Sequence, residues 1–283
     1  MLHKTPIDVS KFFCVRYSDD RTIKYCIDGF STSKNPMLAA YVKYKALEED
    51  SDNKQAVYFI KDCNKIVSFF SLKCGLLIKC HRKVLTGVNH RNFNDQIEYY
   101  IDDDIINVTN TLPALEISHF CINETYKKKK TNWKIKNCIA EYSVGKYIFY
   151  KFIVPLIIDI SLRIGLQIVY LFCADDGSGK LIEFYESLNF QKMDDMACIR
   201  SEYNENLSCF TCKIETLRKD FERFNDVQKA DEIIEFLINN KKITVNDVIK
   251  KFNINDYRYL FRLLVDKGLV SISSKNIIKI NLI

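Results

Sequence analysis

The chain has 283 residues, a formal net charge of +6, 11 Cys and only 8 Gly and 4 Pro. Its length allows one large or two modest domains, its apolar fraction of 47% supplies a core, and the scarcity of Gly and Pro excludes low-complexity character. The mild positive charge permits an anionic ligand or nucleic acid without demanding either, while an odd number of scattered cysteines and the start "MLHKTPIDVS", which has no apolar signal core, lead us to expect reduced thiols in a cytoplasmic protein.

In chain order, "STSKNPMLAAYVKYKALEED" predicts a helix. Ser33 or Asn35 would cap it, Pro36 suits its first turn, and Met37, Leu38, Tyr41, Tyr44 and Leu47 would form its apolar face. "QAVYFIKDCNKIVSFFSLKCGLLIK" predicts a hairpin turning at "KDCNK". Residues 80–112 are polar and unpatterned and read as a variable excursion. "PALEISHFCIN" follows as a strand entered by Pro113; strict alternation puts Glu116, Ser118, Phe120 and Ile122 on one face and Ile117, His119 and Cys121 on the other. "YKKKKTNWKIKN" is a basic connection, with six lysines between Tyr126 and Lys136 and Trp133 among them.

"EYSVGKYIFYKF" then turns at Gly145 into a strongly apolar helix. In "YIFYKFIVPLIIDISLRIG" the polar positions Lys151, Pro155, Asp159 and Arg163 recur every four residues, which makes one narrow wet seam with a kink at Pro155. Three charges there speak against a bilayer span, so no membrane is expected as a partner. "LQIVYLFCA" is a second buried strand, "DDGSGKLIEFYESLNF" a loop and helix, and "LSCFTCKIETL" a late strand. Cys209 and Cys212 would point to opposite faces of it, and no second pair lies at ligand spacing, so no metal is expected. The order strand, Gly turn, helix, strand, helix predicts a mixed α/β fold in which a parallel crossover unit is preceded by antiparallel strands.

Beyond about residue 218 the pattern changes to three short helices and a terminal β-pair, so we divide the chain into residues 1–220 and 221–283. "TVNDVIKKF", a turn at "NI" and "NDYRYLFRLLVDKGLV" resemble a winged helix-turn-helix. Val248, Ile249 and Phe252 would face Leu260, Leu263 and Leu264, with Gly268 closing the last helix. Its candidate recognition helix mixes Arg258, Arg262 and Lys267 with Asp256 and Asp266, which makes it a poor reader of phosphates; a nucleic acid or a protein is the expected partner, and many winged helices contact proteins.

From "AVYFIKDCNKIVSFFSL" through "PALEISHFCIN", "VGKYIF", "LQIVYLFCA" and "KLIEFYESLNF", roughly residues 15–217, the chain resembles the GNAT superfamily of acyl-CoA-dependent N-acetyltransferases. "FYESLNF" carries the resemblance best, matching a helix ending Phe-Tyr-x-x-x-Gly-Phe; Asn189 replaces the Gly, and Asn tolerates the left-handed conformation needed there. The resemblance implies acetyl-CoA as cosubstrate and direct attack of an amine on the thioester.

It also implies roles for particular residues. Main-chain amides of Val144, Gly145, Lys146 and Tyr147 at the helix start would hold the pyrophosphate. The family pattern there, Gln or Arg, two residues, Gly, one residue, Gly or Ala, is matched only at Gly145, with Tyr142 and Tyr147 at its ends. The alternative is an ordinary Gly turn. Backbone groups of Phe120, Cys121 and Ile122 would bond the pantetheine arm, as a bulged strand does in the family. Tyr185 would protonate the departing thiolate, the alternative being a core tyrosine. Glu116, an acid within an apolar strand, would be the general base, the alternative being a structural ion pair. Ser178 stands where the family often has Asn and would touch the cofactor or simply cap the helix. The hairpin and the helix before it look most like the branch of small bacterial toxins that acetylate aminoacyl-tRNA. Two further readings follow: transfer directed to nucleic acid, and a non-catalytic CoA sensor coupled to a winged-helix regulator. The acceptor amine is not readable.

Overall fold

The structure, a computed structural model, describes residues 7–33, 35–82, 98–101, 104–127, 142–193, 196–198, 208–240 and 243–281. Most of the basic connection, with Trp133, therefore lies outside the described residues. In chain order the elements are β1 (Phe12–Arg16), α1 (Ile23–Cys26), α2 (Pro36–Tyr44), α3 (Ala46–Ser51), β2 (Ala56–Asp62), β3 (Lys65–Arg82), β4 (Glu98–Ile101) and β5 (Asp104–Ile122). There follow α4 (Val144–Ile148), a π-helical turn (Phe149–Ile153), α5 (Val154–Ile164), β6 (Ile168–Cys173), α6 (Lys180–Glu186), β7 (Gln191–Lys192), β8 (Met196–Cys198) and β9 (Ser208–Lys213). The last are α7 (Ile214–Gln228), α8 (Ala230–Asn239), α9 (Val245–Phe252), α10 (Tyr257–Asp266), β10 (Val270–Ile272) and β11 (Ile278–Ile280). Among the described residues no helix is long and apolar enough to cross a membrane.

Two compact units form: Phe13–Thr125 with Leu156–Thr216, and Met1–Phe12 and Tyr126–Pro155 with Leu217–Ile283. The first is built on a sheet of order β1-β2-β3-β5-β6-β9-β7, with β4 on β5 and β8 on β3. β2–β3, β3–β5, β6–β9 and β7–β9 are antiparallel, whereas β5 and β6 run parallel, as the crossover pattern predicts. The β2–β3 hairpin turns at Cys63 and Asn64, with Cys63 at φ 52°. Val57, Phe59, Ile66 and Phe69 from it join Tyr17, Ile23, Phe30, Val42 and Ala46 in one buried cluster.

Two expectations change, and a third position shows a feature that was not expected. The predicted first helix is two, α2 and α3, broken at Lys45 (φ −119°). Its buried face is Val42 and Ala46 with Leu38 and Tyr41 beside them, while Met37, Tyr44 and Leu47 are exposed. The break rotates the second turn-set, so a single 3.6-residue period drawn through both misplaces the face. Next, Pro113 does not open its strand: β5 begins at Asp104, and Pro113 pairs with Leu76 in mid-strand. It falls between the stretches that pair with β4 and with β6, where a residue lacking an N–H disturbs the ladder least. Much of the polar excursion is consequently the paired continuation of β3 and β5, held by main-chain bonds that need no apolar alternation. Finally, Pro155 is preceded by a π turn in which the Val154 N–H donates to Phe149 O, five residues back. Pro155 cannot donate to Lys151, and widening the preceding turn relieves the clash of its ring with that carbonyl. The wet seam is as expected: Lys151, Asp159 and Arg163 are exposed, with Arg163 and Asp159 paired at 3.0 Å.

In the second unit α8, α9, α10 and the β10–β11 pair enclose a cluster of Ile233, Val248, Leu260, Leu264 and Ile278, with Ile249, Phe252 and Leu263 packed against it. Thr244 and Asp247 form a reciprocal cap at the start of α9, and Gly268 ends α10 at φ +70°.

Candidate active site

Pairing of β5 with β6 runs from Ala114↔Ile168 to Ile117↔Leu171 and ends there, although β5 continues to Ile122 and β6 to Cys173. At the same point β5 carries a bulge: Leu72 faces Ile117 and Ser71 faces His119, leaving Ser118 as the extra residue. The bulge overturns the strict alternation expected of this strand. Glu116 lies opposite Lys73 and His119 opposite Ser71, and Lys73 and Ser71 share one face of β3, so Glu116 and His119 come to the same face. Phe120 and Ile122, opposite Phe70 and Ser68, go to the other.

Glu116 is 2% exposed. Its carboxylate accepts from Tyr170 Oη at 2.8 Å and Ser118 Oγ at 3.0 Å, and Lys73 Nζ lies at 3.4 Å. Cross-strand register puts two of them within reach, Tyr170 opposite Glu116 on β6 and Lys73 opposite it on β3, while Ser118 is two residues on in β5 itself. The Tyr170 ring crosses β3 over Gly75, where an added Cβ would sit 2.2 Å from Tyr170 Oη. Gly75→Ala should therefore destabilise the fold by about 1–3 kcal/mol, because the buried ring is tied to Glu116 and cannot yield. A denaturant midpoint equal to wild type would contradict this packing.

His119 is stacked on Tyr41 (ring centroids 4.1 Å, 16° between planes), and its Nδ1 is 2.8 Å from Ser71 Oγ. Tyr41 donates to Glu49 at 3.0 Å and accepts from Gln55 Nε2 at 2.7 Å. Burial lowers the His119 pKa from 6.5 to about 4; the Glu49 carboxylate opposes that shift and the Lys73 ammonium reinforces it. The ring is thus neutral near pH 7 and its role is a core hydrogen bond. The unfolded chain binds this proton more readily than the folded one. Stability from this group is full above about pH 6.5 and is lost as pH falls toward 4. Thermal midpoints recorded from about pH 7.5 to about pH 4.5 should fall, and His119→Gln should flatten that slope.

Tyr185, on α6, is buried, with its ring against Phe184 (5.4 Å) and Phe190 (6.0 Å). Burial pushes its phenol well above the usual range, and the neighbouring Cys173 and Cys121 add to the shift. The helix ends as the motif predicts: Asn189 is left-handed (φ 64°), and Phe190 N donates to Tyr185 O at 3.1 Å. Phe184 in turn packs against Phe120 of β5 at 6.2 Å. At the other end of α6, Asp175 accepts from Gly179 N (2.8 Å) and Leu181 N (3.1 Å). Ser178 is exposed, its Oγ 3.5 Å from Lys180 N; the capping carboxylate is Asp175, which the sequence reading missed although "DD" precedes the loop. On β5, the Cys121 carbonyl accepts from Ser68 Oγ at 2.8 Å.

In the second unit α4 starts at Val144, so Gly145 is its second residue. Ser143 caps it, its Oγ accepting from Lys146 N at 3.2 Å. Tyr142, Tyr147 and Tyr150 surround Phe224 of α7, at ring distances of 5.6, 5.9 and 5.6 Å. Phe224 and Tyr147 are 2% and 6% exposed. Tyr147 is therefore a core residue turned onto α7. Phe224 gave no sign of this role in the sequence, where it stands in a charged helix. Glu116, Phe120, Cys121, Ile122, Ser178 and Tyr185 belong to the first unit, and Val144–Tyr147 to the second.

No protein-family model and no curated protein matches the chain. Solved structures do. A point mutant of the toxin AtaT is 11% identical, with 78% of this chain and 98% of that one covered and a TM-score of 0.50. A structure described as a bacterial toxin is 13% identical (77% and 97% covered, TM-score 0.48), and AtaT complexed with acetyl-methionyl-tRNAfMet is 10% identical (74% and 99%, 0.46). At such identity the likeness to the AtaT mutant shows the fold alone: a mixed α/β, GNAT-like arrangement.

Proposed function

We propose that the chain is an acetyl-CoA-dependent N-acetyltransferase that passes an acetyl group directly to an amine. The observation that carries this reading is the separation of two parallel strands after Ile117↔Leu171, at a bulge, with the Tyr185 helix packed through Phe184 against the freed end of β5. Main-chain groups of Phe120, Cys121 and Ile122 would bond the pantetheine arm, and an amide near Ile122 would stabilise the oxyanion. Amides of Val144 and Gly145 would hold the pyrophosphate, joined by those of Lys146 and Tyr147 once these leave Ser143 Oγ (3.2 Å) and Ser143 O (3.0 Å), to which they donate. Ser178 would add a hydroxyl contact.

As the amine attacks the carbonyl carbon, the new C–N bond forms, the C–S bond breaks and sulfur leaves with its electron pair. Tyr185, held protonated by burial, gives sulfur its proton. The amine's proton passes through Ser118 Oγ, already bonded to Glu116 Oε1, so Glu116 serves as base from behind the bulge. The departures at Tyr142 and Tyr147, which favour a sensor, have a packing reason in Phe224, and this weakens that reading.

We assign residues 221–283 to a winged-helix module and expect it to bind a partner. Arg223 and Arg262 are already paired with Asp256 (2.9 Å) and Asp266 (3.8 Å), and Arg258 lies over the Tyr257 ring. A protein partner suits such pre-paired arginines better than a phosphate backbone does. Titration calorimetry with CoA, followed by thiol release from acetyl-CoA across an amine panel, tests the whole. Heat of binding with amine-dependent release supports the enzyme, heat without release supports the sensor, and no heat removes both.

A further inference from the structure

Of the two departures from the phosphate-loop pattern, Tyr142 precedes the residues proposed to hold pyrophosphate and Tyr147 is the last of them, and both rings meet the same residue. Phe224 takes Tyr142 edge-on (77° between planes) and Tyr147 at 62°, while Tyr150, one turn on, stacks against it at 27°. The same helix brings charge to the same turn. Asp220 lies four residues before Phe224, on the same face of α7. Its carboxylate acts on both Tyr142 and Lys146, opposing the loss of charge that burial favours at Lys146. The Lys146 ammonium in turn lies 6.0 Å from the Tyr142 ring centroid. The segment from Tyr142 to Tyr150 is thus seated on one face of α7 through three rings that meet Phe224, with the field of Asp220, itself paired with Arg223 at 3.5 Å, beside them.

We infer that Phe224 is a positioning residue for the cofactor: by seating Tyr142 and Tyr147 it fixes the main chain of Ser143–Tyr147, a task that small side chains and a second glycine perform in the usual pattern. Aromatic rings at both ends leave the turn one packed conformation, and main-chain amides hold an anion only when they converge on it. This inference rests on the proposed binding of acetyl-CoA. It adds that α7, which leads into the C-terminal helices, sets the affinity for the nucleotide half of that ligand.

The test compares acetyl-CoA with S-acetyl-pantetheine, which lacks the pyrophosphate and nucleotide, in wild type, Phe224→Leu and Asp220→Asn. Leucine keeps most of the buried volume, and the Asn variant leaves the aromatic cluster intact, so a folded variant is at hand if one fails. Thermal unfolding establishes which variants are folded. The expected result is a KM for acetyl-CoA raised about 10-fold or more in Phe224→Leu, and less in Asp220→Asn, with KM for acetyl-pantetheine unchanged. A rise for both donors alike, or for neither, overturns the positioning role while the reading of the enzyme stands. Wild-type protein that turns over neither donor and binds no CoA overturns both.

Discussion

Tyr185→Phe is expected to lower turnover about 100-fold while leaving CoA binding nearly intact, the loss typical of removing a well-placed general acid. The substitution removes one oxygen and keeps the ring, whose contacts with Phe184 and Phe190 hold the end of α6. Among the described residues that oxygen makes no hydrogen bond, and burial alone leads the causes that keep it protonated. Folding should therefore be untouched, and any change in rate belongs to the chemical step. Stopped-flow detection of the released thiol against CoA titration separates the two quantities. Equal loss of turnover and of CoA affinity would assign Tyr185 to binding. Unchanged turnover would mean that the thiolate, a fair leaving group with a pKa near 8.5, departs without a donor.

The largest stability effect is expected at Asp226. This carboxylate is fully buried at the end of α7 and accepts from Asp256 N (2.7 Å) and Asn255 N (3.0 Å), with Lys229 Nζ at 3.6 Å. Lys229 also donates to Asn253 O at 2.9 Å, so one acid and one base pin both sides of the turn between α9 and α10. Asp226→Ala strands two amides in the interior and should cost about 3 kcal/mol; Asp226→Asn keeps one acceptor oxygen and should cost roughly half of that. Chemical denaturation of the three proteins gives the comparison. An Ala variant as stable as wild type would show that water replaces the carboxylate and that the turn is open.

How far the sequence could be read depended on the distance over which each feature is decided. The β2–β3 hairpin, the left-handed Asn189 and the exposed seam of Lys151, Asp159 and Arg163 were all legible, since neighbours within one turn or one hairpin dictate them. The order of the principal strands and helices was legible too, because hydrophobic period and turn residues are local signals, whereas β1, α1, β4, β7, β8 and α7 were not read. The length of β5 was not: residues 104–112 read as polar and unpatterned and are strand because β3 and β4 lie alongside.

For the candidate site the division falls in the same place. The family resemblance nominated Tyr185, Glu116 and the Gly145 turn. The bulge at Ser118, which brings Glu116 and His119 to one face, depends on how β5 registers against β3. The socket of Lys73, Tyr170 and Ser118 needs three strands side by side, and the Tyr147–Phe224 contact joins residues far apart in the chain. Local propensity and periodicity are properties of a segment, whereas register, strand separation and ring packing are free-energy minima of segments brought together. The order of elements was therefore written in the chain, and the chemistry of the site was decided only when those elements met.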